Sequence, residues 1–214
     1  LKLLSVLASF AAVAIGQIRL AQKMRREVKL RQWLSRYHSP GVVSRLITEG
    51  TMEMELKVDE AEVSVLFCDI VGFTGLSRRM SPAEVAALLN FFFSSMTDVI
   101  FKYQGTLDKF IGDAIMAIFG APNRMDDHAD AAVKCAMEIH EKLGELNQKL
   151  TEDRQLEIRI GINSGHVVAG DIGSEKRMEY TVLGDTVNIA SRLESVVCEP
   201  GGIVIGDKTF ELLQ

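Results

Sequence analysis

Residues 106–119 read TLDKFIGDAIMAIF. Two runs rich in β-formers, Thr106–Phe110 and Ala114–Phe119, flank Ile111-Gly112-Asp113, and a Gly in so short an interval marks a tight reversal. The expectation is an antiparallel strand pair that holds an acid, Asp113, at its turn. Upstream, Gly105 ends a helix opened by Ser81-Pro82-Ala83-Glu84, which supplies an N-cap, a Pro at the first helical position and a Glu at the third. Val85, Leu88, Leu89, Phe92, Met96 and Val99 recur along it at helical spacing to about Tyr103. Further upstream, Val63–Cys68 suits a buried strand and runs directly into a second acid, Asp69.

Downstream, a helix is expected from Asp126-Asp127 to about Leu150, with acids well placed at its N-terminus. Glu157–Asn163 and His166–Gly170 read as two strands separated by Ser164-Gly165, followed by a short strand Tyr180–Leu183 and a helix Thr186–Val197. Gly201-Gly202 turns into strand Ile203–Ile205, with a last short helix near 207–213. The order β-α-β-β-α-β, with additions, predicts an α+β sandwich of ferredoxin-like or palm-like type, its helices on one sheet face. Phe91-Phe92-Phe93 and the methionines read as core, His128 and His140 as helix surface, and His166 as a strand-edge residue.

The chain has 214 residues, room for one domain and an appendage. A hydrophobic share of 47% with 25% charged residues is globular, and a net charge of −5 argues against a general nucleic-acid binder. Cys68, Cys135 and Cys198 form no C-x-x-C pair, so a reducing, cytoplasmic compartment is expected. Residues 1–36 carry eight Lys/Arg and one acid, Glu27, a net of +7 that leaves −12 for the rest. That asymmetry divides an appendage from a domain.

The apolar stretch over residues 3–16 is shorter than the ~20 residues of a membrane span. Its basic residues follow the apolar run, opposite to a signal peptide. A membrane helix cut at Leu1 is the alternative, and the absence of Met there leads us to expect a piece of a longer protein. Leu20, Met24, Val28, Leu34 and Tyr37 continue a basic amphipathic helix until Ser39-Pro40-Gly41 breaks it. The expected organisation is a signalling or dimerising helix over 1–38, a linker over 39–61 and a domain over 62–214.

Asp69 stands at a strand end in FCDIVGFT, where an acid can simply cap a following helix. Asp113 changes the weighing. If the two strands are neighbours, the carboxylates face each other at one sheet end and repel unless a cation lies between them. A donor set of two carboxylates favours Mg²⁺ or Mn²⁺, whose shells are completed by phosphate and water. Two such ions suit displacement at phosphorus. Asn188 and Arg192, four apart on a helix, share a face and suit a ribose and a phosphoryl group. The alternative is an exposed face with Arg192 paired to Glu194 or Glu199.

FCDIVGFT, DKFIGDAIMAIFG, RIGINSG and LGDTVNIASRLES, in that order, resemble the class III nucleotide cyclase catalytic domain over about residues 62–210. The resemblance implies that Asp69 and Asp113, with the Ile70 carbonyl, bind two Mg²⁺ or Mn²⁺ ions. It implies that Asn188 orients the ribose, Arg192 stabilises charge on the α-phosphate, and Arg159 contacts the triphosphate. Lys109 and Thr181 match the pair that reads the base. A Lys only donates and suits adenine N1, and a Thr hydroxyl can accept from N6, so ATP is favoured over GTP. Many adenylyl cyclases of the family carry Asp at the second position, and this chain departs from them. Guanylyl cyclases of the family typically carry Glu and Cys at these positions.

The resemblance also implies a homodimer with two shared sites, each taking the aspartates from one copy and Lys109, Thr181, Asn188 and Arg192 from the other. Domains of the family usually continue past the equivalent of Gln214 with a further strand pair that carries a basic phosphate-contacting residue; none follows in this sequence, so the expectation is either a trimmed tail or weaker triphosphate binding. LASFAAVAIGQIRLAQ resembles the last helix of a GAF domain, implying an upstream sensory domain in cis. The rival readings are a guanylyl cyclase and a non-catalytic nucleotide-sensing dimerisation module. A diguanylate cyclase is excluded because 111–114 reads Ile-Gly-Asp-Ala where its G-G-[DE]-E-F loop belongs.

Overall fold

The computed structural model describes residues 16–21, 24–25, 58–174 and 177–214. The first two segments are helical and exposed, and the rest of the expected signalling helix and the GAF-like stretch lie outside the described residues. From Val58 the order is β1 (Val58–Ile70), α1 (Phe73–Ser77), α2 (Pro82–Lys102), β2 (Thr106–Ile111), β3 (Ala114–Phe119), α3 (His128–Asn147), β4 (Ile158–Ser174), β5 (Arg177–Leu183), α4 (Asp185–Arg192), β6 (Ile203–Ile205) and α5 (Asp207–Leu212). A π-helical turn, Leu193–Val197, continues α4. The fold is the α+β, palm-like architecture expected, but its helices are not confined to one sheet face: α2 and α3 cover one face and α4 the other.

The sheet runs β2-β3-β1-β4-β5, and β6 lies parallel to β4. Every residue of β1 pairs with β4, from Val58 opposite Gly170 to Ile70 opposite Ile158. Two expectations are corrected here. Residues 58–61 are strand where a linker was expected, and Ser164-Gly165 does not divide two strands but lies inside one. The reason is visible at Ser164. Its hydroxyl is buried between Ser64 Oγ at 2.6 Å and Thr209 Oγ1 at 2.9 Å, so a turn-forming residue is spent on packing.

Strand alternation sorts β1 into two faces. Leu66, Cys68 and Ile70 join Leu88, Phe92, Met96 and Ile100 of α2 and Ala132, Cys135 and Ile139 of α3 in the larger core. Burying each of the large side chains contributes about 1.5–3 kcal/mol. Val63, Val65 and Phe67 face the other way and meet Met116, Ile118, Val167, Val182 and Ala190 of α4. The capping box predicted at Ser81 forms, with Glu84 N donating to Ser81 Oγ and Ser81 N to Glu84 Oε2. The α2 helix is apolar and long enough to cross a membrane, yet the stripe Leu88, Phe92, Met96, Val99 and Ile100 is buried in this core.

His128 is a further correction. It is buried at the start of α3, not on the helix surface, and its Nδ1 lies 2.8 Å from Ser64 Oγ. Burial holds its imidazole below the ordinary histidine range. His140 is exposed as expected, with Nε2 2.9 Å from the Gly201 carbonyl. All three cysteines are free and buried.

Candidate active site

Asp69 falls on the same face of β1 as Val63, Val65 and Phe67, and its partner across the sheet is Arg159 of β4. The Arg159 guanidinium donates to Asp69 Oδ2 at 3.0 Å. The same Nη2 lies 3.2 Å from Glu194 Oε1, an ion pair without hydrogen-bond alignment. Asp113 reaches this group from the β2–β3 turn. Gly72 after β1 (φ 68°) and Gly112 in that turn (φ 65°) both occupy the left-handed region, so each chain reverses and leaves its Asp at the sheet end.

The electrostatics record how close the acids stand. Burial first, then the charge of Asp69, pushes the Asp113 carboxyl above the usual range. Burial first, then Asp69, pushes Glu194 up to about 6, against the pull of Arg159. Three carboxyls thus share one guanidinium, a deficit of positive charge that a cation would fill. Among the described residues no three His, Cys, Asp or Glu side chains form a ready-made metal cage. Asp69 and Asp113 are the carboxylates that could hold a divalent cation such as Mg²⁺, which takes one or two carboxylates plus substrate phosphates.

A second cluster lies along the same face. Lys109 of β2 stands at the level of Met116 and Phe67. Its Nζ is 3.4 Å from Thr181 Oγ1 and 3.5 Å from Glu179 Oε2, both on β5. Since β2 and β5 occupy opposite ends of the strand order, the sheet must coil strongly for them to meet. Thr181 in turn donates to the buried carboxylate of Asp108 at 2.8 Å.

Asn188 and Arg192 sit on the exposed side of α4. Neither makes a hydrogen bond or ion pair with the described residues, and Glu194, the expected structural partner of Arg192, is engaged with Arg159 instead. α4 lies flat on β4 because Gly161 has no side chain. A Cβ there would collide with Glu194 N and come within 2.6 Å of Ala190 O. Within one chain, then, Asp69, Asp113 and Arg159 come together, Lys109 and Thr181 come together, and Asn188 and Arg192 are left facing outward. Ile70 closes β1, buried, with its backbone beside the acids.

The domain as a whole has known counterparts. The adenylate and guanylate cyclase catalytic domain matches residues 56–214. The chain belongs to this family. Adenylate cyclase 1 of Rhizobium meliloti is 38% identical over 146 residues, 67% of this chain and 22% of that protein. The crystal structure of the guanylyl cyclase Cya2 is 43% identical with a TM-score of 0.70, covering 73% of this chain and 80% of that one. The adenylyl cyclase CyaB from P. aeruginosa is 38% identical with a TM-score of 0.69, covering 73% and 82%. The chain spans about a fifth to a third of the length of its curated relatives.

Two residues of this class III cyclase domain escaped the sequence. Glu194 carried no signal beyond its charge, and only the π-helical turn brings it over β4 to Arg159. Asp108 stood in plain view beside Lys109, and a carboxylate next to a candidate base-reading cation within a strand was the available clue. A cavity of about 860 Å³ lined by Glu60, Arg124, His128, His166 and Tyr180 lies at the opposite end of β1 and includes none of the site residues.

Proposed function

We propose that this cyclase domain converts ATP to 3′,5′-cyclic AMP and pyrophosphate at sites shared by two copies of the chain, as the output of an intracellular signalling protein with an upstream sensory domain. The observation that carries the substrate is the contact of Lys109 with Thr181, an ammonium donor beside a hydroxyl on one face of the sheet. That pairing matches adenine, with an acceptor at N1 and a donor at N6. Likeness alone does not choose the base, because adenylyl and guanylyl cyclases resemble the chain to a similar degree.

The residues divide the work as follows. Asp69 and Asp113, with the Ile70 carbonyl, would hold two Mg²⁺ or Mn²⁺ ions, which when bound supply charge neutralisation and a more acidic ribose 3′-hydroxyl. Arg159, already beside Asp69, binds the triphosphate. Lys109 and Thr181 hold the base, Asn188 orients the ribose, and Arg192 meets the charge that develops on the α-phosphate as the 3′-oxygen attacks and pyrophosphate leaves. Asn188 and Arg192 have no side-chain partner among the described residues of their own chain, which supports their serving a site completed by a second copy. Phe110, Ile111, Leu183 and Ile189, exposed on the elements that carry Lys109, Thr181 and Asn188, give that copy an apolar surface.

The test is cyclic nucleotide production from ATP and GTP in parallel, with Mg²⁺ and Mn²⁺, across a range of protein concentrations. Cyclic AMP rising faster than linearly with protein is the expected result. Comparable cyclic GMP would overturn the substrate, and no product from either nucleotide would favour a non-catalytic sensing module.

A further inference from the structure

A regular strand sends consecutive side chains to opposite faces. β2 breaks that rule at the base-reading pair. Its pairing with β3 slips between Leu107 and Lys109, and the slip lets Asp108 and Lys109, neighbours in sequence, both reach Thr181. Bulges of this kind re-aim side chains, and this one delivers a fully buried carboxylate to the back of a threonine hydroxyl.

The chemistry of that contact is one-directional. A carboxylate only accepts, so the Thr181 hydroxyl must spend its single hydrogen on Asp108 Oδ2, 2.8 Å away. What remains on the open side of Oγ1 is lone pair. The position of Lys109 Nζ, a donor 3.4 Å from the same oxygen, agrees with this polarity. The arrangement is also costly. Among the described residues Asp108 Oδ1 is buried without a hydrogen-bond partner, and the Lys109 ammonium stands 3.9 Å from Oδ2. Burial accordingly pushes the Asp108 carboxyl up, against Thr181 and Lys109, which pull it down. An apolar residue would pack there at less expense.

We infer that Asp108 is a positioning residue for base selection, locking the Thr181 hydroxyl as an acceptor so that the pocket takes a purine bearing an amino group at C6 and refuses one lacking a donor there. This rests on Lys109 and Thr181 reading the base, and it adds why a hydroxyl, which could otherwise donate or accept, discriminates at all.

The experiment compares ATP with purine riboside triphosphate, which keeps the N1 acceptor for Lys109 and replaces the 6-amino group with hydrogen. The full chain is assayed as wild type, Asp108→Leu, Asp108→Ala and Thr181→Val. Leu fills a similar volume without an acceptor, so a folding defect in the Ala variant does not end the test. The expected result is a wild-type preference for ATP in kcat/KM of about ten-fold or more, lost in Thr181→Val and reduced several-fold in both Asp108 variants. The rate with the analogue should change far less than the rate with ATP, whereas general damage to the fold would lower both alike. If Thr181→Val abolishes the preference while both Asp108 variants keep it, the base-reading pair stands and the role of Asp108 is overturned. If the wild type shows no preference, or Thr181→Val leaves it intact, the base-reading pair falls and the role of Asp108 with it.

Discussion

Arg192 is exposed and bonds to nothing else described in its own chain, so its removal separates catalysis from folding. Arg192→Ala should lower kcat by about 10²–10³-fold, the usual cost of losing one transition-state charge contact. Its stability should stay within about 0.5 kcal/mol of wild type. A cyclase assay run beside a thermal melt checks both, and a parallel loss of the two would make Arg192 structural. Glu194 predicts the reverse pattern. Its folded-state value near 6 stands above the ordinary 4.5, so its contribution to stability is complete below pH 4.5 and is lost as pH rises through 6. With its side chain only 8% exposed, ionisation costs the fold about 2 kcal/mol. Urea denaturation of Glu194→Gln should therefore show the variant gaining about that much relative to wild type between pH 4.5 and pH 7. An unchanged difference would mean that Glu194 is not held against its charge. At this scale the sequence was legible where it placed Asp69 and Asp113 together at one sheet end, and illegible where a contact depends on a bulge (Asp108) or a π-helical turn (Glu194).

Among the elements, α4 and its continuation depend on a close approach to β4 through Gly161. Gly161→Ala puts a methyl group against Glu194 N and Ala190 O, which are backbone and cannot swing aside. The variant should lose about 1–3 kcal/mol, the usual cost of overpacking, and much of its activity, because Asn188 and Arg192 ride on the displaced helix. Melting curves and the cyclase assay read the two effects. Most elements could be read directly from the sequence. The capping box at Ser81, the β2–β3 turn at Gly112 and strand Ile203–Ile205 are local signals, and they appear where local chemistry put them. β4 could not be read this way. Ser164-Gly165 looks like punctuation until Ser64 and Thr209, distant in sequence, are known to claim the Ser164 hydroxyl. His128 was misjudged for the same reason, since its partner is 64 residues away.

For the molecule as a whole, the proposed sharing of sites between two copies makes a statement about stoichiometry. If each active site draws Asp69 from one copy and Arg192 from the other, Asp69→Asn and Arg192→Ala chains are each inactive alone. Mixed in equal amounts and allowed to exchange, half of the dimers should be mixed and each should hold one intact site. The mixture should then recover about a quarter of wild-type activity, as a closed two-fold pairing requires. Recovery near zero, with exchange verified, would place the whole site within one chain. The coiling that brings β5 to β2 was not legible beforehand. Nothing local in either strand indicates that the two ends of the sheet meet, and only the accumulated twist of the strands between them decides it.

The long pairing of β1 with β4 also has a bearing on how the protein is made. Val58 meets Gly170 and Ile70 meets Ile158, so roughly a hundred residues must leave the ribosome before β1 acquires its second neighbour. At ~5–20 residues per second this is a wait of roughly 5–20 s. β3 arrives sooner, since Ser64 pairs with Phe119, but it satisfies only one edge of β1. Throughout the interval a nascent chain carries the apolar run Val63–Cys68 with open backbone hydrogen-bonding groups along its other edge, a template for pairing with any neighbouring strand. The interval closes only when β4 emerges. The same strand that carries Arg159 to the candidate site therefore also ends the period in which the growing polypeptide is most exposed to aggregation.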